Sequence, residues 1–173
     1  MPPPQGKELE EIRARRQKLR EKYLHGRGER PASTVQGVHH LALICKNVEE
    51  TIQFYQEFLG FPLVELVENR DYAGSSHFFF DIGNRNMLAF FDFPGLGLEA
   101  VPEGLGGIQH VAISVTPEVF EATKQRLTHA GVTYLGPDMG VEESIYFKDP
   151  DNIQVEFIRQ PLFEVPESAP QDD

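Results

Sequence analysis

The chain has 173 residues, 40% of them hydrophobic and 25% charged, which is the balance of a globular protein long enough to build one sizeable core. Its formal charge is −11, unevenly spread: residues 1–30 hold nine Lys/Arg against five Asp/Glu, and the remainder holds seven against 22. An acidic body repels phosphate backbones, no apolar run nears the roughly 20 residues of a bilayer span, and the lone Cys45 can close no internal disulfide; nucleic-acid and membrane partners are disfavoured and a cytoplasmic setting is expected.

Residues 7–24 carry Leu9, Ile12, Leu19 and Tyr23 at helical spacing among many charges, which predicts a helix ended by Gly26-Arg27-Gly28 and Pro31. The predicted organisation is a helical extension over 1–34, a folded domain over 35–162 and a disordered acidic tail over 163–173. Within the domain, 38–45 reads as a strand and 48–59 as a helix closed by Gly60. Strands follow at 63–68, 76–82 and 87–93, the last two joined by a turn at Gly83-Asn84-Arg85. The order then recurs. A strand is predicted at 108–115, and a helix at 117–130 that opens on Pro117 and stops at Gly131. Strands at 133–135, 144–147 and 154–159 complete it, with Asp149-Pro150-Asp151-Asn152 as a turn.

The recurrence is a true internal repeat. Gly37-Val38-His39-His40-Leu41-Ala42-Leu43-Ile44 returns as Gly107-Ile108-Gln109-His110-Val111-Ala112-Ile113-Ser114 at an offset of 70. Leu59-Gly60-Phe61 returns as Ala130-Gly131-Val132 at an offset of 71, and Phe79-Phe80-Asp81 aligns with Tyr146-Phe147-Lys148 at 67. A period shared by three separate features predicts an α+β fold of two βαβββ repeats, about 37–95 and 107–160, whose curved sheets form a metal cleft.

One histidine holds the same slot in both copies. On a strand His40 shares a face with the small Ala42, and His110 shares one with Ala112 and Ser114, leaving room for a ligand. A satisfied core histidine is the bland reading of either alone. Two at equivalent slots point to a metal site. Glu156 interrupts an apolar strand, where a carboxylate is costly unless paired or metal-bound; the alternative is an edge-strand glutamate facing water. Two histidines and one carboxylate suit a divalent metal, with Fe(II) or Mn(II) favoured and Zn, Ni or Co possible. The first-half equivalent of Glu156 is Ala89, which cannot ligate, so open positions remain for substrate oxygens or O₂.

These residues resemble the vicinal oxygen chelate superfamily, the glyoxalase, bleomycin resistance and extradiol dioxygenase group. The resemblance spans about 35–162. It rests on Val38-His39-His40-Leu41-Ala42-Leu43, on Thr51-Ile52-Gln53-Phe54-Tyr55 leading to Leu59-Gly60-Phe61, on His110-Val111-Ala112-Ile113, and on Phe147-Lys148-Asp149-Pro150-Asp151-Asn152 leading to Glu156. It implies metal ligation by His40, His110 and Glu156. Alanine at position 89 departs from the four-ligand pattern of glyoxalase I and the epimerases. The three-ligand pattern is that of extradiol dioxygenases and fosfomycin-type transferases. The resemblance also implies substrate contact by Tyr146, for which rim packing is the alternative. Asn86 stands where the dioxygenases carry a catalytic histidine. His77 replaces it if Phe79 lies opposite Ala89 in the hairpin, and is otherwise a structural histidine. Phe79, Ala89, Phe91, Ala112 and Ser114 are the expected substrate-facing positions, the phenylalanines as a wall for a planar molecule.

The expected function is therefore ring cleavage of a small molecule with vicinal oxygens by a homodimeric metal enzyme. A lyase, isomerase or thiol transferase on the same metal is an alternative. So is a drug- or metabolite-binding protein without turnover.

Overall fold

The computed structural model describes residues 3–26, 28–101, 104–139 and 143–159; the tail expected over 163–173 lies outside the described residues. The chain divides into two units, Met1–Gly37 and Val38–Asp173. In the first, α1 (Gly6–Tyr23) has no buried residue. Its helicity comes from strong helix formers and from pairs one turn apart, Lys7 with Glu11 at 3.8 Å and Gln17 donating to Glu21 at 3.0 Å. No helix among the described residues is long and apolar enough to cross a membrane.

The second unit begins with β1 (His40–Ile44), α2 (Val48–Ile52), a π-helical stretch (Gln53–Phe58), β2 (Leu63–Glu68), β3 (Ser76–Asp81) and β4 (Met87–Phe91). The same order returns as β5 (Val111–Ser114), α3 (Pro117–His129), β6 (Tyr134–Met139), β7 (Glu143–Lys148) and β8 (Gln154–Ile158). Two four-stranded mixed sheets result, ordered β1-β4-β3-β2 and β5-β8-β7-β6. The fold is the predicted α+β pair of βαβββ units.

Local chemistry sets the helix ends. The Asn47 side chain accepts from the amides of Glu49 and Glu50 at 3.0 and 3.3 Å. Thr116 accepts from the Val119 amide at 3.4 Å, with Pro117 at the first helical position. Gly60 and Gly131, at φ +84° and +69°, take the left-handed conformation that stops each helix.

Two expectations need correction. The helix expected over 48–59 is α-helical only to Ile52. Beyond it the Leu59 amide bonds back five residues to the Phe54 carbonyl, 2.9 Å. The widened turn stacks Phe54 on Phe58 at 5.7 Å and buries Tyr55. The strand expected over 108–115 is only Val111–Ser114, so His110 precedes it instead of lying on it.

Both sheets give one face to a single core. Leu43, Phe78, Phe80, Leu88 and Phe90 come from the first, and Val111, Ile113, Ile145, Phe147, Val155 and Phe157 from the second. Each fully buried phenylalanine contributes roughly 2–3 kcal/mol. Inside this core the Tyr55 hydroxyl donates to Asp149 Oδ2 at 3.1 Å, tying the second half's turn to the first half's helix.

Burial pushes the Asp149 carboxyl up from 3.8 to about 6, against the opposing hydrogen bonds from Ile153, Tyr55 and Asp151. The folded chain thus holds this proton more tightly than the unfolded chain. Stability from this group is full below about pH 4 and is lost as pH rises through about 6, a difference on the order of 3 kcal/mol. Asp149→Asn keeps an oxygen for the donors and removes the charge. In urea titrations it should narrow the gap in unfolding free energy between about pH 4 and about pH 7 by a few kcal/mol. An unchanged gap would refute the assignment.

Candidate metal centre

Strand alternation leaves each sheet one face on the side opposite the core. On the first sheet that face carries the rows His40, Met87, Asp81; then Ala42, Ala89, Phe79, Glu65; then Ile44, Phe91, His77, Val67. On the second, Ala112, Glu156, Tyr146 and Leu135 form one row, and Ser114, Ile158 and Ser144 the next. Ala42–Ala89–Phe79 therefore corresponds to Ala112–Glu156–Tyr146, the equivalence that the repeat offset predicts.

His110 and Glu156 meet. Nε2 of His110 lies 2.8 Å from Oε2 of Glu156, and the Tyr146 hydroxyl donates to Oε1 at 2.6 Å. Glu156 is only 5% exposed and sits on the inner strand β8, which rules out an edge glutamate facing water. The Gln109 amide oxygen contacts Nδ1 of His110. Nε2 faces a carboxylate oxygen, and the two are satisfied by a ring proton or by a cation between them. One imidazole nitrogen beside one buried carboxylate oxygen fits two ligand positions of a divalent transition metal.

His40 stands on the first sheet's open face. Its Nδ1 lies 2.9 Å from Nδ1 of His39, and its ring is edge-on to Phe79 at 5.8 Å. It does not join the other two: among the described residues no three His, Cys, Asp or Glu side chains gather as a metal-holding group. The cause lies in the fold. Both sheets spend one face on the shared core, and the two repeated histidines stand on the opposite faces.

His77 takes the expected register, opposite Phe91 with Phe79 opposite Ala89. Its ring stacks on Phe91 at 3.8 Å, and its Nε2 is buried with no hydrogen-bond partner among the described residues. Burial first, and the neighbouring His40 second, hold its pKa below the ordinary 6.5, so the ring is neutral at neutral pH. Phe79 and Phe91 are half-buried, Ala89 is fully buried, Ser114 is half-buried and Ala112 is open. Cys45 is no candidate nucleophile, since burial pushes its thiol up to about 11.

His39 and Gln109 escape a reading that looks only for ligands. The available signal is their shared slot, one residue before each repeated histidine.

A family model described as Glyoxalase/Bleomycin resistance protein/Dioxygenase superfamily matches residues 37–157. The chain is 31% identical over 123 residues to the candidate ring-cleaving dioxygenase MhqE of Bacillus subtilis, an alignment covering 68% of this chain and 39% of MhqE. It therefore spans about two fifths of that relative's length. Among solved structures, a glyoxylase/bleomycin resistance protein/dioxygenase domain from Frankia sp. EAN1pec superposes with a TM-score of 0.65 at 20% identity, over 74% of this chain and all of that one. The fosfomycin resistance protein FosX of Listeria monocytogenes, solved with Mn(II) and 1S,2S-dihydroxypropylphosphonic acid, gives 0.58 at 22% identity, over 75% and 96%.

Proposed function

The chain belongs to the Glyoxalase/Bleomycin resistance protein/Dioxygenase superfamily, and from that membership we propose that it is a homodimeric Fe(II)- or Mn(II)-dependent enzyme that cleaves a small aromatic ring bearing vicinal hydroxyls. The observation that carries this reading is the His110–Glu156 pair, a buried carboxylate at 2.8 Å from an imidazole nitrogen. His40 of a second copy supplies the third ligand, because a single chain keeps its own His40 apart from the pair. The open faces are apolar enough to be covered. Ile44 is 50% exposed and Val67 44% on the first sheet's open face, and Leu135 is 69% exposed on the second's; exposed apolar residues on such faces mark an interface or ligand surface.

When bound, the metal supplies Lewis acidity toward two adjacent substrate oxygens and access to O₂ chemistry. The chain's own residues do the rest. Phe79 and Phe91 form a flat apolar wall, with the exposed Ala42 leaving space beside it. The neutral His77 accepts a proton from a substrate hydroxyl once its ring turns to bring the buried Nε2 to the substrate. In the dimer this wall and His77 come with His40 from one copy, and Tyr146 borders the same space beside Glu156 of the other.

Charge favours ring cleavage over transfer to a phosphonate. The phosphonate in the FosX structure is an anion, and anions are recognised by cations. Among the described residues of these open faces, Lys148 is the one cation, and its ammonium donates to the Asn152 carbonyl at 3.1 Å.

The test is protein loaded anaerobically with Fe(II) or Mn(II), followed by O₂ uptake on a panel of catechols. Stoichiometric uptake with ring-opened product is the expected result. Metal binding without uptake, together with turnover of a thiol and an electrophile, would establish thiol transfer instead. High-affinity ligand binding without metal would establish a sequestering protein.

A further inference from the structure

The wall of Phe79 and Phe91 does not end with β4. Two residues beyond the strand, Phe93 stacks on Phe91 with centroids 5.9 Å apart and planes within 19°. Tyr72 meets Phe93 edge-on at 5.5 Å and 90°. Toward the candidate ligand, contacts run from Phe91 to His77 at 3.8 Å, from His77 to Phe79 at 4.2 Å and from Phe79 to His40 at 5.8 Å. The rings thus form one unbroken strip from His40 to the loop between β2 and β3. Phe79, Phe91, Phe93 and Tyr72 are all half-buried.

We propose that this strip holds an uncharged aromatic substituent of the substrate, carried beside the vicinal hydroxyls, and that Phe93 and Tyr72 are the residues that select it. The inference rests on the ring-cleavage reading and narrows its substrate class to aryl-substituted catechols.

Continuity, ring geometry and charge point to this occupant. The strip begins at His40, so a molecule whose oxygens lie at that histidine reaches the far rings across an aromatic surface without a gap. Phe91 is nearly parallel to both His77 and Phe93, at 14° and 19°, so ring faces turn toward one another and ring edges line the open side. A substrate ring laid across those edges makes the edge-to-face contact that aromatic pairs favour. Ile44 and Val67, in the row of Phe91 and His77, are also apolar. The charged side chains of the adjoining loop are spent on the loop itself. Arg70 donates twice to Asp71, at 2.9 and 3.0 Å, Glu68 accepts from the Gly74 amide at 2.9 Å, and Asp92 accepts from the Ser76 amide at 2.5 Å. An anionic substituent therefore meets no unpaired cation among the described residues of the strip and this loop.

The loop is also built as a fixed support. The Asn69 amide donates to the Ser75 carbonyl at 2.7 Å, and the Asn69 side chain donates to Ser75 Oγ at 3.1 Å. Ser75 Oγ donates in turn to the Asp92 carbonyl. The Tyr72 hydroxyl donates to the Pro94 carbonyl at 3.1 Å, which pins the ring against Phe93. A surface held in place beforehand loses little freedom when a ligand arrives.

Calorimetric titration of the metal-free full chain with 2-naphthol reads the strip without the metal. 2-Naphthol should bind, and 2-naphthoate should bind about tenfold more weakly or worse. Phe93→Leu and Tyr72→Ser should each weaken 2-naphthol about five- to tenfold, while Tyr72→Phe, which keeps the ring, should stay within about twofold of the parent. Thermal unfolding checks that each variant is folded. In the metal-loaded enzyme, kcat/KM for 3-phenylcatechol should exceed that for catechol on the order of thirtyfold. Phe93→Leu should cut that ratio to about fivefold.

Equal affinity for 2-naphthol and 2-naphthoate would overturn the proposal. So would 2-naphthol affinity unmoved by Phe93→Leu and Tyr72→Ser, or no 2-naphthol binding at all because a second copy covers the strip. Naphthol binding that follows these variants in a chain that consumes no O₂ with any catechol would sink ring cleavage and leave the strip standing. O₂ uptake at equal kcat/KM with catechol and 3-phenylcatechol would do the reverse.

Discussion

Glu156→Ala should abolish divalent-metal uptake and turnover together while the chain stays folded. Among the described residues, Glu156 is the one carboxylate placed with both an imidazole nitrogen at 2.8 Å and a phenol at 2.6 Å. Without it the centre keeps only neutral nitrogen donors, which hold Fe(II) or Mn(II) poorly because these ions favour oxygen ligands. A bound metal is worth several kcal/mol of charge stabilisation, so turnover should drop by about a thousandfold or more. Stability should move little. A carboxylate only 5% exposed is itself expensive to bury, and the imidazole it leaves is one-third exposed and can turn to water. Metal titration by calorimetry, thermal unfolding and O₂ uptake on one preparation separate these effects. Full metal affinity in Glu156→Ala would remove the carboxylate from the centre.

How the site was legible in the sequence follows from what a repeat can carry. Offsets between two copies transmit register, since equivalent strands pair equivalently. That is why Ala89 could be assigned to the slot of Glu156, and why the pairs Phe79↔Ala89 and Tyr146↔Glu156 occupy matching positions in the two sheets. Alternation likewise places Leu43 in the core and His40 and Ala42 outside it. The π-helical stretch was not legible, because apolar spacing at 48, 52, 55 and 59 is satisfied equally by a helix whose later turns are widened. Nor was the separation of His40 from His110. Periodicity says which face a residue occupies within its own sheet. It does not say whether two sheets share a core through their inner faces or close a cleft with their outer ones, and here they share a core. The contacts of His39 with His40 and of Gln109 with His110 were hidden for another reason. A contact between residues one apart on an extended segment breaks the alternation rule, and His39–His40 makes it where β1 begins and Gln109–His110 just before β5.

That separation yields the sharpest expected result. Mixing two inactive variants, His40→Ala and Glu156→Ala, should restore activity. If each centre draws His40 from one copy and His110 with Glu156 from the other, a mixed dimer holds one centre with both defects and one with neither. Free exchange makes half of the dimers mixed, so about a quarter of the parent activity per chain should return. The recovery should be slow, following subunit exchange, and should saturate with time. A centre built within one chain predicts no recovery at any time, because every chain in the mixture lacks a ligand. The double variant carrying both substitutions on one chain gives the control, since mixing it with the parent can produce no intact centre in a mixed dimer. The arrangement also predicts that dilution below the dimer dissociation constant removes metal affinity along with activity, because a lone chain offers two ligands where the dimer offers three. Recovery of activity on mixing and its loss on dilution both follow from a single physical fact: in each half of this chain the face that carries the histidine is the face its own core leaves open.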